Sequence, residues 1–93
     1  MTTKPLEKPE QKQKLYDPYK VLLHNDDANG MSYVVQSLLK ALPQLSKQQA
    51  HDIMMEAHRQ GVALVITCPL EHAEMYCDRL KSLGLVASIE RCS

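Results

Sequence analysis

The sequence carries no surplus of charge of either sign: 11 Lys and Arg stand against 11 Asp and Glu, for a formal net charge of zero. A nucleic-acid surface needs a basic patch to neutralise phosphates, so a polyanionic partner is not expected. Cysteine is scarce as well. Cys68, Cys77 and Cys92 are three in number, odd and without C-x-x-C spacing, which argues against a disulfide framework or a zinc knuckle and points to a reducing, intracellular compartment. Long hydrophobic runs are missing too. No segment approaches the roughly 20 apolar residues of a membrane span, and the opening MTTKPLEKPEQKQK lacks the apolar run of about 7 to 15 residues of a secretory signal. Absent also are a G-x-S-x-G elbow and a glycine-rich phosphate loop, so the residues do not mark an enzyme.

What is there fits one small domain. A chain of 93 residues buries about 60 to 65% of the surface its unfolded form would expose, so its core must be shallow. From Met1 to about Tyr16 the composition is mainly Lys, Glu, Gln and Pro, with too few apolar groups to offset the entropy of ordering. Residues 1–17 are therefore expected to be a disordered N-terminal extension, and 18–93 the folded core. Tyr19, Val21 and Leu23 alternate with Lys20, Leu22 and His24, the period of a strand, and the turn formers HNDDANG follow. Met31, Val34, Val35, Leu38, Leu39 and Leu42 then form the stripe of a core-facing helix that stops at Pro43, its start capped by Asn29 or Ser32. Ser46 with Gln49 makes a capping box ahead of Ala50, Ile53, Met54 and Ala57, a second amphipathic helix ended by Gly61. Val62 to Thr67 is a β-branched run of strand length. Pro69 opens a third helix with Glu71 and Glu74 in its first turn and Gly84 at its end, and Leu85 to Glu90 reads as a last strand. The order βααβαβ predicts an α+β domain: a small three-stranded sheet with three helices packed on one face.

Two features can carry chemistry, the loop His24-Asn25-Asp26-Asp27 at a strand's end and His58 on the second helix. Asn and Asp are ordinary turn formers, so a turn plus a cap is one reading of the loop. Two adjacent carboxylates without a nearby Lys or Arg suggest another, that a cation is expected there. His58 shares a helical face with Met54 and reads either as a hydrogen-bonded core group or as a ligand. Met31, Met54 and Met55 are core fillers unless an open pocket lies beside them. Cys68, before Pro69, reads as a buried small hydrophobe or as a thiol acidified by a helix N-terminus. A metal set of His24, Asp26, Asp27 and His58 lacks H-x-x-x-H or Asp-x-Asp spacing, and no metal or other cofactor is expected.

These residues, taken together, resemble the ClpS family of adaptor proteins, which serve Clp AAA+ proteases in bacteria and plastids. The resemblance rests on YKVLLHNDD at 19–27, on Met31 with Val34 and Val35, on M-M-E-A-H-R-Q-G from Met54 to Gly61 and, more loosely, on E-x-x-x-M-Y in the third helix. It covers everything after the N-terminal arm. It implies a monomeric adaptor that holds the α-ammonium and large hydrophobic first side chain (Leu, Phe, Tyr or Trp) of an N-degron protein and hands that protein to a Clp unfoldase of ClpA or ClpC type. Asn25, Asp27 and His58 would hold the amine, with Asp26 assisting. Met31, Val34, Met54, Ala57 and Leu85 would wall the side-chain pocket, with Asn29 at its rim, and the arm would engage the unfoldase. The implied location is cytoplasmic, in bacterial cytosol or plastid stroma, with no membrane or nucleic-acid partner.

The chemistry suits that task. An ammonium has three donors and no acceptor, so it calls for the Asn25 carbonyl, the Asp27 carboxylate and a neutral His58. The chain departs from the family at Gly30, where relatives often carry Pro, at Asn29, where Thr is common, and at Ala57, where a larger aliphatic is common, so the shape of the pocket is open. Two other readings remain. One is a small metal-binding regulatory domain built on the acidic loop. The other is an interaction domain of ribosomal stalk type, which shares this topology.

Overall fold

The structure, a computed structural model, describes residues 17–92. The expected arm over 1–17 lies outside the described residues except for Asp17, whose carboxylate accepts from Arg91. The elements are β1 (Pro18–His24), α1 (Met31–Ala41), α2 (Lys47–Gln60), β2 (Val62–Pro69), α3 (Leu70–Ser82) and β3 (Ala87–Arg91). The sheet order is β2-β1-β3 with both pairings antiparallel, which makes β1 the central strand. The expected α+β architecture is what forms.

The alternation in β1 sorts its side chains to two faces. Val21 and Leu23 are buried, and their cross-strand partners Ile66, Ala63, Ile89 and Ala87 share that face. The three helices cover it, with Leu38, Leu42, Ala50, Ala73 and Leu80 wholly or almost wholly buried against it. The opposite face is open, and Val62 and Leu64 remain exposed there. The β1–β2 register shifts between Val21 and Leu22. That irregularity leaves Val65 as an extra residue that is also buried, as a β-bulge allows.

Local signals account for most boundaries, and the exceptions are instructive. Ser46 and Gln49 form the reciprocal capping box, and Gly61 ends α2 in the left-handed region at φ 91°, where glycine has no Cβ penalty. The α1 cap differs from expectation. Gly30 occupies it in extended conformation and has no side chain to make a cap bond, while the Asn29 amide donates to Asp26 and to the Gly84 carbonyl. β2 runs two residues past Thr67, since Cys68 and Pro69 still register with Tyr19 and Pro18. Pro69 thus precedes α3 as its extended cap instead of opening it, and only Glu71 falls in the first turn. β3 starts at Ala87, not Leu85. Leu85 is buried and its N–H bonds to the Leu80 carbonyl, so it closes the helix end and does not join the ladder.

The turn between α1 and α2 is held to α3 by Arg79, which donates to the Ala41 carbonyl at 3.0 Å, and by Gln44, which donates to the Tyr76 hydroxyl at 3.1 Å. At the other pole, the end of β1 is pinned on both sides. The His24 N–H bonds to Val86 O and the Asn25 N–H to Gly61 O. This anchors the start of the NDD loop beside the C-terminal end of α2.

Candidate functional site

That pole holds a cavity of about 40 Å³ between the β1–α1 loop, α1 and α2. Asn25, Asp26 and Asn29 line it from the loop, Met31 and Val34 from α1, and Met54, Ala57 and His58 from α2. Helical spacing brings the last three together, since Met54, Ala57 and His58 fall at i, i+3 and i+4 on one face. Leu23 and His24, which the sequence reading had not assigned to a pocket, line it too. The signal for them was their place as the last residues of a strand that feeds the loop. Asp27 and Leu85 stand outside the wall: Asp27 is exposed one residue further along the loop, and Leu85 is buried in the core.

The cavity is apolar below and polar above. Met54, Ala57 and Val34 are buried, whereas Met31 is 47% exposed at the mouth, as suits a flexible thioether that can give way to a guest. His58 is exposed at the rim.

The two loop carboxylates differ. Asp26 Oδ1 accepts from the Ala28 N–H at 2.8 Å and the Asn29 N–H at 3.0 Å, and the Asn29 side-chain amide donates to both Asp26 oxygens at 3.3 and 3.4 Å. Asp26 is therefore engaged in shaping its own turn, as Asx residues do. Among the described residues, the side chains of Asn25, Asp27 and His58 have no hydrogen-bond partner. His24 Nε2 lies 2.7 Å from Ser88 Oγ, which holds that imidazole to β3.

Elsewhere, chemistry is thin. Burial pushes the Cys68 thiol above its ordinary value, and burial does the same to Cys77, with Lys81 opposing the rise and Asp78 adding to it. That direction favours a small hydrophobe over an acidified thiol as the reading of Cys68. Among the described residues no three His, Cys, Asp or Glu side chains converge as a metal would need, and no helix is long and apolar enough to cross a membrane. What the pole can do is accept hydrogen bonds from a small cation while it buries an apolar group beneath it.

Comparisons with known proteins agree on one family. The family model for "ATP-dependent Clp protease adaptor protein ClpS" matches residues 14–88. The chain is 54% identical over 92 residues to the ATP-dependent Clp protease adapter protein ClpS of Synechococcus elongatus, covering 97% of each chain. It is 47% identical over 89 residues to the chloroplastic adapter CLPS1 of Chlamydomonas reinhardtii, covering 96% of this chain and 55% of that protein. Among solved structures, ClpS2 of Agrobacterium tumefaciens bound to L-phenylalaninamide superposes with a TM-score of 0.77 at 30% identity, over 82% of this chain and 98% of that one.

Proposed function

Since the chain belongs to the ClpS family of ATP-dependent Clp protease adaptor proteins, we propose that it captures proteins by a free N-terminal amine and a bulky hydrophobic first side chain and delivers them to a Clp AAA+ unfoldase of ClpA or ClpC type. The observation that carries this reading is the pocket with a buried apolar floor of Val34, Met54 and Ala57 beneath a rim of acceptors. Asn25, Asp27 and His58 accept from the ammonium. Asp26 assists by holding the loop, and Met31 and Asn29 border the opening. Phenylalaninamide, the ligand of the Agrobacterium relative, joins the same two chemical features, a free α-amine and a large apolar side chain.

The magnitudes support transient capture. Burying a Leu or Phe side chain is worth roughly 1.5 to 3 kcal/mol and each charge-assisted hydrogen bond about 1.5 to 3, against an association cost of at least about 4. The sum allows roughly micromolar affinity, weak enough for release and dependent on both halves of the site. An α-amine, with a reference pKa of about 7.7 to 8.0, is mostly charged at neutral pH, so a carboxylate distinguishes a free N-terminus from an acetylated one. The first 17 residues then engage the unfoldase, and the adaptor works as a monomer without a cofactor in bacterial cytosol or plastid stroma.

The deciding experiment compares a peptide with a free N-terminal Leu or Phe with its acetylated twin. The free peptide should bind with roughly micromolar affinity and the twin at least tenfold more weakly; equal binding of the two sinks the proposal.

A further inference from the structure

The loop that carries the pocket rim is fastened at a point away from the pocket itself. Helix α3 ends at Ser82, and its last carbonyls need donors from outside the helix ladder. The Arg79, Leu80 and Lys81 carbonyls find them locally, in Leu83, Gly84, Leu85 and Ser82. The Leu83 and Gly84 carbonyls find them across the molecule. The Tyr33 hydroxyl donates to Leu83 O at 2.6 Å, and Asn29 Nδ2 donates to Gly84 O at 2.9 Å.

These two bonds are the described side-chain ties between the β1–α1 region and the α3–β3 turn. They matter because the local chain does little to hold this region. Gly30 caps α1 without a side-chain bond, its φ of −72° does not call for glycine, and a Cβ there would meet nothing within 4 Å. Glycine at such a position only adds conformational entropy to be lost on ordering. Beyond the backbone bonds at His24 and Asn25, the order of the loop therefore rests on side chains. Asn29 links both parts, since the same amide that reaches Gly84 also donates to the Asp26 carboxylate that shapes the turn.

We infer that Tyr33 and Asn29 are a pair of positioning residues that set the width of the pocket and thereby the first residue it admits. The inference rests on the capture of N-terminal residues proposed above. One wall of the cavity is α2, with Met54, Ala57 and His58; the other is the loop and the start of α1, with Asn29, Met31 and Val34. The cavity is small, about 40 Å³, so a larger guest presses on the second wall. The latch ties that wall to the end of α3 and resists the movement. Loosening it should favour the largest first side chain over the smallest.

The test turns on Tyr33, because, unlike Asn29, it is not among the residues that line the cavity. The full chain and its Tyr33→Phe variant are titrated with peptides that differ only in a first Leu or Trp, each with an acetylated twin. The loss of one exposed hydrogen bond sets the scale of effect. The Trp-to-Leu affinity ratio should rise about threefold or more, with the contrast between free and acetylated peptide kept. Asn29→Ala should shift the ratio the same way, and the double variant should exceed the larger single effect only slightly, because both bonds hold one turn. An unchanged ratio in Tyr33→Phe overturns the inference, whether both affinities stay put or fall in parallel, and leaves the capture function standing. Equal binding of free and acetylated peptides by the unaltered chain removes the capture function and this inference with it.

Discussion

Asp26 and Asp27 are neighbours with the same side chain, and replacing each in turn should separate the role of shaping the loop from that of binding. In Asp26→Ala the Ala28 and Asn29 amides lose the acceptor that holds them at 2.8 and 3.0 Å. The arrangement is the loop counterpart of a helix N-cap, whose removal costs about 0.5 to 2 kcal/mol. Ala28 is exposed and Asn29 half-buried, so water replaces part of the lost bonding and about 1 kcal/mol is the working figure. For a domain of this size that lowers Tm by about 4 to 8 °C. Asp26→Asn keeps an acceptor oxygen and should recover most of the loss. Asp27→Ala removes no bond to a described residue, and its melt should stay within about 0.5 kcal/mol of the parent. Its affinity for a Leu-first peptide should fall at least about tenfold, since a charge-assisted bond is worth about 1.5 to 3 kcal/mol. Thermal melts and peptide titrations on the three variants provide the comparison. If Asp26→Ala melts like the parent yet abolishes binding, Asp26 itself holds the amine and the two carboxylates do not divide the work in this way.

Further outcomes follow from the same geometry. His58→Ala should weaken peptide binding more than about tenfold with the melt unchanged, while His58→Gln, which still offers an acceptor, recovers part. Ala57→Leu fills the cavity floor and should cost bulky-residue peptides the roughly 1.5 to 3 kcal/mol of side-chain burial, about ten- to a hundredfold in affinity; undiminished binding would place the side chain elsewhere. Ser46→Ala breaks the capping box and should destabilise the fold by about 1 kcal/mol without changing affinity, as chemical denaturation and titration will show. The Cys68 and Cys77 thiols, raised by burial, carry less thiolate near pH 8 than free thiols. Mass spectrometry after iodoacetamide should show slow modification of both in the native protein and fast modification in denaturant.

Patterns that local physics enforces were legible in the chain. The alternation through Tyr19, Val21 and Leu23, the reciprocal pair Ser46 and Gln49, and the left-handed glycines Gly61 and Gly84 all specify their element within a few residues, and each appears in the structure. What could not be read depends on contacts distant in sequence. Asn29 looked like a cap because Asn caps helices, but the helix takes Gly30 as its cap and the Asn29 amide donates to Gly84, 55 positions away. Leu85 had the composition of a strand, and its burial against α3 withdrew it from the ladder. The register shift opposite Val65 has no local signature at all. In the site, the turn chemistry of NDD marked the loop, but the unequal employment of Asp26 and Asp27 became visible only with the amide hydrogens of Ala28 and Asn29 in place.

The central position of β1 also has a mechanical consequence. The strand runs from Pro18, next to Asp17, to the pocket, so seven residues, roughly 23 Å of extended backbone, join the two poles. A pull applied at Asp17 and resisted at the pocket runs along this strand. The ladder bonds to β2 and β3 lie perpendicular to that line and share the load in shear, flanked on both sides, instead of opening one at a time. The domain is thus braced along the axis that connects its N-terminal side to the pocket.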